Sequence, residues 1–149
     1  MSFLYAIEGI IASVKSERNL RFHIAVANLI IVFAYFYGIS AEKWAILILQ
    51  IAAVISAELI NTAVERTVDT ATDKIVPSAK LAKDAAAGAV LVFAAGAVAV
   101  GVCLFGSAAR IGETLVHIFT DIKILVPCLA LGVLDILFVV HGGKNVKKI

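Results

Sequence analysis

Two stretches of this chain, Ile24 to Ala41 and Ala85 to Ala109, carry no charged residue at all, and nothing else limits its fold so severely. A helix that crosses a bilayer needs about 20 mostly apolar residues. Inside lipid every backbone N–H and C=O must be satisfied by the chain itself, so a continuous apolar run of this length is expected to be a helix. Four candidate spans follow: Ile24–Ile39, Trp44–Val64, Ala85–Ala109 and Ile124–Val140. The second carries Glu58 in its later half and runs into Glu65, and the fourth contains Pro127 and Asp135. Composition agrees: 62% of residues are hydrophobic and 16% charged, against about 25% charged in soluble domains. These values exclude a soluble globule, a disordered chain, a collagen-like chain and a disulfide scaffold. A net charge of +2 is too small for nucleic-acid binding. Cys103 and Cys128 lie in apolar runs and read as small core hydrophobes.

Ser2 to Ser16 has a different pattern. Phe3, Ile7, Ile10, Ile11 and Val14 share one helical face, with Glu8 and Lys15 off it. That pattern suits a helix lying in the bilayer interface. A signal peptide is not expected, because no basic residue precedes Lys15 and Glu8 interrupts the apolar run. With both ends of the chain inside, ten of the thirteen basic residues fall on the inner side, including Lys74, Lys144, Lys147 and Lys148. Lys43, Arg110 and Lys123 fall outside. The positive-inside rule therefore places the Glu65 to Asp84 loop in the cytoplasm. The expected fold is an all-α integral membrane helical bundle: an amphipathic surface helix, three core spans and a fourth C-terminal one. The alanines and glycines from Ala85 to Gly101 permit close helix packing, and so thin a bundle is expected to assemble as a homo-oligomer.

The segment Ala57 to Asp69 carries the chemistry. At about 100° per residue, Glu58, Asn61, Thr62, Glu65 and Asp69 fall on one narrow helical face. A charge at membrane depth costs at least about 2.5 kcal/mol, so carboxylates placed there are expected to face a cation, a polar partner or water. A solvated helix end accounts for Asp69 and in part for Glu65, but poorly for Glu58 and Asn61. Lys83 and Asp84 open the third span on the same side, and Glu17, Arg18, Asn19, Arg21 and His23 precede the first. Glu17 and Glu65, from different helices, suit a shared hard cation such as magnesium, which is held by one or two carboxylates plus phosphate oxygens. A lysine beside them would neutralise a transferring phosphoryl group. Glu58, one or two turns deeper, would take a proton from a hydroxyl arriving from the lipid. Taken alone, Lys83 is an interface lysine, and Asp135 a packing or cavity-facing residue. The sequence has no P-loop, no G-x-G-x-x-G, no zinc spacing and no G-x-S-x-G. Gly142-Gly143-Lys144 reads as a helix stop with a basic tail.

The pattern Glu58-x-x-Asn61-Thr62-Ala63-x-Glu65-x-x-x-Asp69, followed by Ala82-Lys83-Asp84-x-x-Ala87-Gly88-Ala89-Val90, resembles the signature of the small bacterial integral-membrane diacylglycerol kinases. The upstream Glu17-Arg18-Asn19-x-Arg21-x-His23 is similar to the form found in the undecaprenol kinases of that family. The resemblance runs over about residues 3–106. It implies a homotrimer in the cytoplasmic membrane, with active sites at the cytoplasmic interface between subunits. There ATP donates its γ-phosphate to a lipid hydroxyl. It further implies Glu58 as general base, Glu17 and Glu65 as the magnesium carboxylates that also hold ATP, and Lys83 on the phosphates. Asp84 would lie beside that lysine, Asn61 and Asp69 would line the site, and Tyr5 would touch the nucleotide. Undecaprenol is the expected acceptor and diacylglycerol the alternative; from the polar stripe alone, a small proton or cation transport subunit is a further alternative. Two departures stand out. The N-terminal helix lacks an early basic residue, and residues 107–149 have no counterpart. The expected organisation is therefore a lipid kinase domain at 1–106 and an added C-terminal segment at 107–149.

Overall fold

A computed structural model describes residues 2–71 and 76–142. Lys74, Gly143, Lys144, Lys147 and Lys148 lie outside the described residues. The chain is helical: α1 (Ser2–Ser16), α2 (Arg18–Tyr37), α3 (Ala41–Ala71), α4 (Pro77–Leu104), α5 (Ala108–Thr120) and α6 (Ile122–His141). Helices α2, α3, α4 and α6 are each long and apolar enough to span a membrane, and the protein is an all-α membrane bundle. On α1 the apolar side chains Phe3, Ile7, Ile10 and Ile11 are exposed rather than packed on protein, as an interfacial helix requires.

The breaks between helices have local causes. Gly38, at φ +70, ends α2 in the left-handed region, its N–H donating to the carbonyls of Ala34 and Tyr35. Glycine reaches this conformation without a Cβ clash. Pro77 opens α4, where its missing N–H costs nothing. The apolar run expected to continue to Ala109 stops as a helix at Leu104, because Ser107 starts a new one by accepting a hydrogen bond from the Arg110 N–H at 3.4 Å. Asp121 ends α5 and begins α6, its side chain accepting from the Lys123 N–H at 2.9 Å.

Helices α3 and α4 form the most extensive helix pair. Gln50 Nε2 lies beside Gly96 and donates across the pair to the Phe93 carbonyl at 2.9 Å. Helix α2 packs on α3 and meets α4 only at the side-chain level, while α6 packs on α2. A small core gathers Ala34, Leu47 and Leu104. Beside it Phe105 meets Phe33 and Tyr37 edge-on, each with ring centroids 5.2 Å apart. Arg110 covers the Tyr37 ring at 4.8 Å and donates to the Gly38 carbonyl at 3.2 Å, which fixes α5 at the end of α2 away from α1. At the opposite end Arg21, buried at the start of α2, donates to the carbonyls of Val14 and Lys15 at 2.9 Å each and of Val139 at 3.4 Å. One guanidinium thus ties α1, α2 and the end of α6 together, with α1 and the C-terminus of α6 on the same side of the bundle. Asp135, 7% exposed, accepts a hydrogen bond from Asn28 Nδ2 at 2.9 Å. It is a packing residue between α6 and α2.

Candidate active site

Because α2 and α3 run antiparallel, residues early in α2 meet residues late in α3. Glu17 and Arg66 form the layer nearest the helix ends, with Arg66 Nη2 3.8 Å from Glu17 Oε1. Ser16 sits between them, donating to Glu17 at 3.0 Å and accepting from Arg66. His23 and Glu58 form the next layer, with Nε2 3.1 Å from Oε1. The steps from 17 to 23 and from 66 to 58 are about 9 Å and about 12 Å at 1.5 Å per residue, so this second pair lies about two turns deeper. Glu58 is 4% exposed. The titratable group set against its carboxylate among the described residues is His23, and Glu65 lies two turns along α3 on the same face. Glu58 and Glu65 on α3 and Glu17 at the junction before α2 therefore lie at one end of the α2–α3 pair.

Between these layers Asn61 Nδ2 donates to Glu65 Oε1 at 3.0 Å. The Asn61 Oδ1 atom is buried without a partner. A buried acceptor left unmatched costs about 1–3 kcal/mol, which a donor or cation placed beside Glu65 would recover. Thr62 returns its hydroxyl to the Glu58 carbonyl at 2.9 Å and so belongs to the helix rather than the site. Near the end of α3, Lys83 Nζ meets Asp69 Oδ1 at 2.9 Å across the α3–α4 junction, and Asp84 is exposed beside it.

The structure thus brings together Glu17, Glu58, Asn61 and Glu65 on one patch, with Lys83 and Asp69 paired on the same end of the bundle. Tyr5 is exposed on α1, about 18 Å along the helix direction from Glu17, and the described contacts do not bring it to the other site residues. Arg66 was legible only as a flanking charge, since its pairing with Glu17 depends on helix register. Among the described residues no group of three or more His, Cys, Asp and Glu is gathered as a ready metal cage. The donor set is instead two partly exposed carboxylates and a spare amide oxygen. This fits magnesium, which usually keeps waters and shares phosphate oxygens with one or two carboxylates.

An apolar groove of about 620 Å³ runs between α2, α3 and α4. It extends from Phe33 and Phe105 to Phe22 and His23, about 15 Å along α2. It ends at the His23–Glu58 layer, so an amphiphile with an apolar tail and a polar head would meet the carboxylates head first.

Residues 4–105 match the family described as prokaryotic diacylglycerol kinase. The chain is similar to an undecaprenol kinase of Bacillus subtilis, 45% identical over 104 residues that cover 70% of this chain and 85% of that protein. It is also similar to a diacylglycerol kinase of Synechocystis sp., 41% identical over 105 residues, covering 70% of this chain and 60% of that protein's length. No solved structure matches. The family match ends where α4 ends, leaving α5 and α6 outside it.

Proposed function

The chain belongs to the prokaryotic diacylglycerol kinase family, a family of membrane lipid kinases, and from that premise we propose that it transfers the γ-phosphate of ATP to the hydroxyl of a polyprenol, undecaprenol. The acceptor choice is supported by the fuller match to the Bacillus subtilis relative and by the Glu17 to His23 segment; diacylglycerol is the alternative. The observation that carries the reading is that the apolar groove ends at His23, which meets Glu58, with Glu17 and Glu65 at the same end of the helix pair. The distribution of basic loops supports an active side that faces the cytoplasm. Residues 1–106 are the catalytic domain, assembled as a homotrimer, and residues 107–149 are an addition to it.

Glu17 and Glu65 would hold magnesium together with phosphate oxygens. Bound there, the ion supplies neutralisation of the charge on the β- and γ-phosphates. Lys83 neutralises the phosphoryl group further, with Asp69 and Asp84 orienting the lysine and Asn61 orienting Glu65. A nucleotide contact by Tyr5 is supported by the family resemblance alone. The lipid chain lies in the groove, which excludes water from the reacting atoms. The lipid O–H bond breaks as its oxygen bonds the γ-phosphorus, the proton is taken up at Glu58, and the bond from phosphorus to the β-phosphate oxygen breaks to release ADP. Positioning and charge neutralisation supply most of the acceleration.

The test is transfer of labelled phosphate from ATP to undecaprenol and to diacylglycerol, presented separately to purified protein. Labelled undecaprenyl phosphate as the faster product is expected, with turnover abolished but ATP still bound in Glu58→Gln. Absence of transfer to either lipid, or full activity in that variant, would overturn the assignment.

A further inference from the structure

Glu58 does not line the apolar groove; the residue that stands between the carboxylate and the groove is His23. The His23 side chain is 21% exposed, that of Glu58 5%. The imidazole meets Phe22 edge-on, ring centroids 5.8 Å apart, where both line the groove, with Nε2 3.1 Å from Glu58 Oε1. Its Nδ1 makes no hydrogen bond to any described side chain. The other ionisable groups whose charges reach Glu58 are Glu17 and Glu65. A hydroxyl delivered along the groove therefore meets the imidazole before it meets the carboxylate.

Resting on the lipid-kinase reading above, we propose that His23 is a catalytic residue that takes the proton of the acceptor hydroxyl and relays one to Glu58. An imidazole accepts at one nitrogen while giving up a proton from the other, and a carboxylate behind it both orients the ring and raises its basicity. As the lipid oxygen bonds the γ-phosphorus, its proton passes to Nδ1. The Nε2 proton passes to Glu58 Oε1, and the bond to the β-phosphate oxygen breaks with its electron pair leaving on ADP. The step leaves phosphorylated lipid, ADP, a neutral imidazole in its other tautomer and a protonated Glu58. That proton is lost to water when the products depart and the tautomer resets. Glu58 remains the terminal acceptor, held in the shielded position in which it is found.

The experiment compares full-length wild type, His23→Gln, His23→Ala and Glu58→Gln in mixed micelles at saturating lipid alcohol, with kcat and the KM for ATP read separately. Glutamine keeps a donor for Glu58 but cannot relay a proton. His23→Gln is expected to lose about 10²-fold in kcat with the KM for ATP unchanged. Added imidazole is expected to restore turnover to His23→Ala, while pyrazole, of the same shape but far less basic, does not. Wild-type kcat in His23→Gln, or equal rescue by pyrazole and imidazole, would overturn the relay. An inactive Glu58→Gln beside an active His23→Gln would remove the relay alone. Wild-type turnover in Glu58→Gln would remove the site reading as well.

Discussion

The hydrogen bond between Asn28 and Asp135 should be a fastening that holds α6 to the rest of the bundle. Little else in α6 is buried: only 6% of its most apolar stretch lies inside the chain's own fold. Asn28 Nδ2 and Asp135 Oδ1 are 2.9 Å apart, and Asp135 Oδ2 is buried without a partner. Asn28→Ala therefore strips the last donor from a buried carboxyl group, at a cost of about 1–3 kcal/mol. Asp135→Leu removes the group that needs the donor, so introducing it into Asn28→Ala should restore stability. Interhelical hydrogen bonds in membranes average about 0.6 kcal/mol and reach about 1.7; a bond at 2.9 Å to a buried carboxylate belongs in the upper part of that range. Unfolding by a denaturing detergent, followed by circular dichroism across the four members of the double-mutant cycle, measures the coupling. The expected order places the double variant above Asn28→Ala. Additive losses, with coupling below about 0.3 kcal/mol, would refute the fastening.

Two further outcomes follow from the same geometry. Lys83→Met should lower kcat/KM for ATP while leaving the unfolding midpoint nearly unchanged. Its ion pair with Asp69 is exposed, and such pairs contribute at most about 1 kcal/mol; a large loss of stability with normal kinetics would contradict the placement. Arg21→Met should destabilise the fold by about 2–3 kcal/mol, because a buried guanidinium donating to three carbonyls on two neighbouring elements is lost. Protease access to the end of α6 should rise in parallel, and unchanged digestion would contradict the clasp.

How much of this was written in the sequence depends on whether the signal is local. The spans were legible because lipid imposes length and apolarity on each helix separately, and the four expected runs each lie largely within a spanning helix. The stripe from Glu58 to Asp69 was legible because helical periodicity alone sets it on one face. Helix α5 was not, since Arg110 and Glu113 interrupt its apolar pattern and its thirteen residues fall short of a span. The partners of Asp135 and Glu17 were also hidden. Asn28 lies 107 positions from Asp135, and Arg66 meets Glu17 only through the antiparallel register of α2 and α3. The role of His23 as the neighbour of Glu58 has the same origin: the contact is tertiary, and no local spacing encodes it.

The claim on which the rest depends is that Glu17 and Glu65 jointly hold a divalent cation with a triphosphate. Electron paramagnetic resonance of manganese, used in place of magnesium, tests it directly by titrating the ion and ATP into wild type, Glu17→Gln, Glu65→Gln and Glu58→Gln. The predicted result is an ATP-dependent bound-manganese signal in wild type and Glu58→Gln that weakens at least tenfold in affinity when either Glu17 or Glu65 is changed, about 1.4 kcal/mol. Equal manganese binding in all four proteins would contradict it.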